Sequence, residues 1–220
     1  MECTITALSV QKRNPQRVNI YLDGEYAFGL ARIVAAWLHV GQALSDEKIA
    51  QLKMEDGQEV AYQRALKLLS YRPRSEAEIR LKLKRHGTED RTVEQVLERL
   101  QKNGLVDDAQ FARIWVENRS AHRPRSQRAL AYELRQRGIE AQMIEEVVQA
   151  VDNQELAYQA ANKQARKLRE LECHVFRQKM FAFLARRGFS YEDSLPAVNR
   201  VWAELDETRL ESHGLGEVNR

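Results

Sequence analysis

The tetrapeptide Arg-Pro-Arg-Ser occurs twice in this chain, at residues 72–75 and, fifty-one positions later, at residues 123–126. The same offset places similar residues opposite one another through the flanking segments, pairing Ile79 with Leu130, Leu83 with Leu134, Gly87 with Gly138 and Val93 with Ile144. A match that extends over such a length at a fixed period indicates two copies of one structural unit. The chain must therefore build its fold from a repeated element.

Each copy is predicted to form three helices. Apolar residues recur at helical spacing between residues 59 and 70, and Pro73 ends this first helix because its ring disfavours the helical conformation at the preceding residue. Ser75 begins a second helix, with Glu78 three residues later in a capping-box arrangement, and Gly87 ends it. A third helix is predicted over roughly residues 90–103. The second copy repeats this plan, with Asp107-Asp108 at the start of its first helix.

A further shift of about fifty residues finds a third, degraded copy that opens with a long predicted helix over residues 153–171. Its matching residues are Met180, Leu184, Arg187, Gly188, Phe189, Val198 and Val201. The tetrapeptide is absent, and the segment Cys173 to Phe176 stands in its place. The third unit is therefore not expected to act in the same way as the first two.

The residues before the repeats have a different pattern. Apolar and polar residues alternate through residues 4–30, and Asp23-Gly24 is a strong hairpin sequence, so a three-stranded meander is predicted. Short helices are predicted over Ala31 to His39 and over Ser45 to Glu55, with Gly57 as the boundary before the repeats. The three tryptophans, Trp37, Trp115 and Trp202, are expected in the core.

The predicted fold class is mainly α, with three tandem three-helix repeats after a small amino-terminal β-meander and short helices. An apolar content of 43% with 7% aromatic residues supports packed helices. The predicted domains are the meander with its short helices (1–57), the three repeats (58–106, 107–152 and 153–205) and a flexible tail (206–220).

The net charge of +3 is unevenly distributed along the chain. Residues 1–59 carry −2, residues 60–137 carry +8 and residues 138–220 carry −3. A concentration of positive charge in the first two repeats indicates an anionic partner, either nucleic acid or an acidic protein surface. The alternative is a solvated surface on which arginines pair with nearby glutamates.

The candidate binding residues are basic side chains of the first two repeats. The tetrapeptides place two guanidinium groups next to the amino terminus of a helix, where free amides and positive charge favour a carboxylate or phosphate. The alternative is that each tetrapeptide only ends one helix and caps the next, and that its arginines pair with Glu or Asp within the fold. Further basic residues lie on the second helix of each copy. The complete candidate set is Arg72, Arg74, Arg80, Lys84, Arg123, Arg125, Arg128 and Arg135.

Other functional classes find no support in the sequence. The five histidines and the cysteines Cys3 and Cys173 have no metal-ligand spacing, and no nucleophile motif or glycine-rich phosphate loop occurs. We therefore expect no catalytic site, no metal and no cofactor. The longest apolar run, Ile33 to Leu38, is too short to span a bilayer, so a cytoplasmic protein without a membrane partner is expected.

The sequence resembles the RecX family of recombination regulators over nearly its whole length. The residues that carry the resemblance are Val18 to Gly29, Ala65 to Glu76, Gly104 to Asp108 with Phe111-Ala112, and Leu134 to Ile139. The resemblance implies a curved, elongated array of three-helix repeats acting in homologous recombination, DNA repair and the SOS response. It also implies a regulator, expected to be a monomer, that binds the RecA recombinase filament and suppresses its strand exchange, ATPase and coprotease activities.

The residues and the resemblance together predict that the basic face of the first two repeats docks on acidic RecA surface or on filament DNA. The competing hypothesis is a free-standing helical DNA-binding module that acts without RecA. A third is a scaffold for other proteins. The family pattern has no catalytic residues to carry over to this chain.

Overall fold

A computed structural model describes the backbone of residues 2–214 and the side chains of residues 2–208. The chain divides into two compact units, the first ending at Asp107 and the second beginning at Asp108. The first contains a sheet and the first three-helix repeat, and the second contains the other two repeats. The predicted fold class of helical repeats after a meander is confirmed.

The amino-terminal sheet is antiparallel and has one strand more than predicted. Strands β1 (Glu2–Gln11), β2 (Asn14–Leu22), β3 (Glu25–Ala31) and β4 (Ala43–Ser45) lie in the order β3-β2-β1-β4. The two residues between β2 and β3 have positive φ angles of 49° and 93°, as a tight hairpin turn requires, which confirms the predicted hairpin. The fourth strand was missed because three residues are too few to show an alternating pattern.

The helix predicted over Ala31 to His39 is wrong. Only a single 3-10 turn forms there, at Ala35–Trp37, because these residues form the connection from β3, which ends at Ala31, to β4, which begins at Ala43 and pairs with β1. Ala35 is buried, whereas Trp37 is 87% exposed, so its predicted place in the core is also wrong. The other two tryptophans do pack against the core of the second unit.

A continuous helix, α1 (Asp46–Tyr71), replaces the two helices predicted on either side of Gly57. Ser45 caps it as predicted, accepting a hydrogen bond from the Lys48 amide at 3.2 Å. A glycine inside a helix costs only about 1 kcal/mol relative to alanine, and burial of Leu52 and Tyr62 on either side of Gly57 outweighs that cost. The helix thus serves both the sheet and the first repeat.

The first repeat is completed by α2 (Glu76–Arg85) and α3 (Asp90–Lys102). Ser75 begins α2, and its hydroxyl accepts a hydrogen bond from the Glu78 amide at 3.3 Å, which confirms the predicted cap. Apolar side chains of the three helices form one core, which includes Ala65, Ile79, Leu83, Val93, Leu97 and Leu100.

The second unit contains α4 (Asp108–His122), α5 (Gln127–Arg135) and α6 (Ala141–Gln149), followed by α7 (Asn153–Ala165), α8 (Cys173–Arg186) and α9 (Tyr191–Gly214). Ser126 caps α5 through the Ala129 amide at 3.2 Å, as the repeat predicts. The two repeats share one continuous core that contains Phe111, Leu130, Leu134, Phe176, Met180 and Leu184.

Two features of the third repeat differ from the prediction. The long helix predicted over 153–171 ends at Ala165, where hydrogen bonds to the third preceding residue tighten the chain and carry Leu168 into the core. At the other end, α9 extends through the first part of the predicted tail to Gly214. The rest of the tail, residues 215–220, lies outside the described residues.

Candidate functional site

The arginines of the first tetrapeptide are held by groups of their own repeat. The Arg72 guanidinium donates two hydrogen bonds to the Glu78 carboxylate, at 2.9 and 3.1 Å. Arg74 Nε donates to the backbone carbonyl of Leu68 at 3.0 Å and so binds the carboxyl-terminal turn of α1. Both arginines therefore help to fix the corner between α1 and α2.

The two basic residues predicted on α2 are also paired. Arg80 forms an ion pair with Glu94, and Lys84 Nζ lies 2.8 Å from a carboxylate oxygen of Asp90, both on α3. All four candidate residues of the first repeat thus have internal partners. Exposed ion pairs contribute only about 0–1 kcal/mol, so Arg72, Arg80 and Lys84 can exchange partners, but only at that cost.

In the second tetrapeptide, Arg125 is held by a carboxylate that the sequence reasoning did not single out. Its Nε lies 3.1 Å from Glu133, a side chain only 13% exposed. Glu133 also accepts hydrogen bonds from Arg119 Nε at 2.8 Å and from Trp115 Nε1 at 2.9 Å. The first repeat has Lys82 at the position of Glu133, so this arrangement belongs to the second repeat alone.

Arg123, Arg128 and Arg135 differ from the four candidate residues of the first repeat. All three are exposed, and none forms an ion pair with a carboxylate among the side chains described. The repeat offset explains two of them. Ala129 replaces Glu78, the partner of Arg72, and Ala141 replaces Asp90, the partner of Lys84. The second repeat therefore presents positive charge that the first neutralises internally.

Trp115 is part of this region but is engaged in packing. Its ring is half-buried and stacks on Phe111, with ring centroids 6.0 Å apart. The guanidinium groups of Arg137 and Arg119 lie 3.7 and 4.6 Å from its ring centroid. This ring is consequently a structural support for the arginines.

The third repeat contacts the second tetrapeptide directly, which the sequence did not predict. Arg187 Nη1 donates to the Pro124 carbonyl at 2.9 Å, and the Arg187 carbonyl accepts from the Ser126 amide at 3.2 Å. Gly188 then approaches so closely that a Cβ atom there would lie 2.5 Å from Ser126 Oγ. The turn after α8 is thus fitted against the segment that links α4 to α5.

The setting of Arg187 also alters its acidity. Burial lowers the pKa of its guanidinium below the ordinary value, and the charges of Arg125 and Arg123 lower it further. Arginine remains protonated at neutral pH, so the shift reflects mainly the partial desolvation of a charged group and, second, its repulsion by the two neighbouring arginines.

No helix within residues 2–214 has both the length and the apolar character needed to cross a membrane.

Four family models match the chain in succession. The RecX amino-terminal domain matches residues 3–45, and the first, second and third RecX three-helix domains match residues 61–100, 107–148 and 151–196. The chain belongs to the RecX family.

Relatives within the RecX family agree with this assignment. Regulatory protein RecX of Bacillus licheniformis is 33% identical over 211 residues, with 92% of this chain and 79% of the relative covered. Regulatory protein RecX of Bacillus subtilis is 31% identical over 208 residues, with the same coverage. A crystal structure of regulatory protein RecX superposes with a TM-score of 0.67 at 33% identity and covers 87% of this chain and 96% of its own.

Proposed function

We propose that this RecX-family chain is a non-enzymatic regulator that binds the RecA recombinase on its nucleoprotein filament. It inhibits the recombinase, ATPase and coprotease activities by blocking or dismantling the filament. Family membership over residues 3–196 carries the proposal, because the relatives bear the name of regulatory proteins.

The docking surface is centred on the second repeat. Arg123, Arg128 and Arg135 are exposed there without an internal carboxylate among the described side chains, so binding an anionic surface breaks no existing ion pair. Arg125 borders them but is held by Glu133. The remaining candidates, Arg72, Arg74, Arg80 and Lys84, contribute less, because each must first exchange an internal partner.

The proposal is tested by the DNA-dependent ATPase of RecA, measured with the purified chain added while single-stranded DNA is in excess. Excess DNA prevents simple competition for the strand from lowering the rate. Inhibition under these conditions, with co-sedimentation of the chain on RecA filaments, is expected. An unchanged ATPase rate would contradict the proposal.

The free-standing DNA-binding module is separated by the same assay. It predicts tight binding to bare DNA and inhibition that disappears as DNA is added in excess. A scaffold for other proteins predicts neither sedimentation with filaments nor inhibition.

A further inference from the structure

A basic depression of about 230 Å³ lies in the second unit, between the α4–α5 link, α7 and α8. Its cationic lining comes from three separate stretches of the chain: Arg123 before α5, Lys163 in the last turn of α7 with Lys167 just after that helix, and Arg187 after α8. Among the described residues, no aspartate or glutamate lines it. Two of these stretches belong to the third repeat, which carries nine Lys and Arg against six Asp and Glu over residues 153–205 and is therefore basic.

Two of the basic groups, those of Arg187 and Lys163, are oriented by neutral partners. The hydrogen bond to the Pro124 carbonyl fixes one side of the Arg187 guanidinium, and the centroid of the Phe183 ring lies 4.6 Å from Arg187 Cζ. Lys163 Nζ donates to the Ala121 carbonyl. Within the described side chains, neither Lys163 nor Arg187 forms an ion pair with a carboxylate, so the positive charge of the depression is not cancelled.

Holding these positive charges close together costs free energy. The half-buried Arg187 guanidinium is partly desolvated and repelled by Arg123 and Arg125. An anion that enters the depression removes this repulsion and accepts charge-assisted hydrogen bonds from several directions. Four cationic side chains from three stretches of the chain suit the several oxygens of a phosphate group better than a planar carboxylate, which a single arginine satisfies in its plane.

The positive surface continues beyond the depression. A neighbouring depression of about 400 Å³ shares Lys163 and adds Arg166, Tyr158 and Asn162, again with no acidic residue among the described lining. Two adjoining basic recesses that share one lysine match a ligand with negative charges repeated along a chain. A nucleic-acid backbone has this property, whereas a free phosphate or a nucleoside monophosphate does not.

We infer that the depression lined by Arg123, Lys163, Lys167 and Arg187 binds a phosphodiester group of a DNA strand, and that the third repeat completes this site on the second tetrapeptide. The strand continues past Lys163 toward Arg166. The inference rests on the proposed function and deepens it by assigning the expected DNA contact to a defined site in the second unit. The test of this inference is run without RecA, so the inference and the proposed function can fail independently of each other.

The test is fluorescence anisotropy of a labelled single-stranded oligonucleotide titrated with the full chain over a salt series. The variants are Arg187→Ala, which removes the oriented guanidinium, and Arg123→Ala, which removes an exposed group without a described side-chain partner. Arg186→Ala is the matched control, because Arg186 is the adjacent residue, is exposed and does not line the depression. Circular dichroism checks that each variant retains its helicity.

Arg187→Ala and Arg123→Ala are each expected to weaken DNA binding and to reduce the slope of log affinity against log salt by about 0.7, the value for one phosphate contact on a single strand. Arg186→Ala is expected to leave that slope unchanged. Equal effects of all three variants would show a diffuse charge effect and overturn the inference. Unchanged DNA binding by Arg187→Ala and Arg123→Ala would show that the depression makes no phosphate contact and would overturn the inference too.

Discussion

Replacing Gly188 with alanine is expected to destabilise the second unit by disrupting the contact between the third repeat and the second tetrapeptide. Gly188 has φ +92°, and its added Cβ would lie 2.5 Å from Ser126 Oγ and 2.9 Å from the Ala129 Cβ. Neither neighbour can move freely, because Ser126 is buried and caps α5. The turn must therefore withdraw from the cap or displace it.

The magnitude has two parts. A left-handed conformation costs an alanine about 1–2 kcal/mol relative to glycine. Overpacking costs about 1–3 kcal/mol where the neighbours cannot relax, including loss of the Ser126 cap. Gly188→Ala is thus expected to lose about 2–5 kcal/mol. Gly87→Ala is the matched control, since Gly87 ends the equivalent helix with φ +76° and nothing described lies within 4 Å of its Cβ position.

Urea unfolding followed by circular dichroism measures the loss for both variants. Tryptophan fluorescence assigns the transition to the second unit, because Trp115 and Trp202 pack against its core whereas Trp37 is 87% exposed. Gly87→Ala is expected to lose only the conformational part, about 1–2 kcal/mol. Equal losses at the two glycines would refute the argument that close packing on Ser126 holds the repeats together.

Two further predictions concern the first unit. Burial raises the pKa of Glu59, but hydrogen bonds from Gln63 and Arg99 outweigh burial and leave it below its ordinary value. The ionised Glu59 carboxylate therefore stabilises the folded state fully above its unfolded pKa of about 4.3. This stabilisation is lost as the pH falls through the lower pKa of Glu59 in the folded state. In the Glu59→Gln variant, the urea concentration at the midpoint of unfolding should depend less on pH across this acidic range. An unchanged pH dependence would contradict the stabilising role of the Glu59 carboxylate. Ser75→Ala should lose about 0.5–2 kcal/mol in urea unfolding by removing the α2 cap; no loss would show that the cap is unimportant.

The repeat offset was sufficient to predict the order of the helices and both serine caps. Proline, the capping serine and the closing glycine act through local backbone conformation, so their effects can be read from sequence. The continuity of α1 through Gly57 could not be read from the sequence, because it depends on the burial of side chains on both sides of the glycine. Trp37 was misplaced for a similar reason, since residue type alone does not show which way a short turn faces.

The site was predictable only in part. Comparison of the two copies could have separated paired from unpaired arginines, since Ala129 and Ala141 replace the carboxylates of Glu78 and Asp90. That signal was present in the sequence and was missed. The role of Arg187 was not accessible in this way, because it depends on how the third repeat packs against the second. Counting the net charge by segment did not reveal the positive charge around Arg187 either, because residues 138–220 are acidic overall.

The most direct measurement of the central claim compares RecA ATPase inhibition by two triple alanine variants, each of which removes three positive charges. One replaces Arg123, Arg128 and Arg135, which lack an internal carboxylate among the described side chains, and the other replaces Arg72, Arg80 and Lys84, which have one. The first variant is expected to lose most of its inhibition while the second retains it, with both remaining folded by circular dichroism. Equal loss, or a greater loss in the second variant, would contradict the claim that the unpaired arginines of the second repeat form the docking surface.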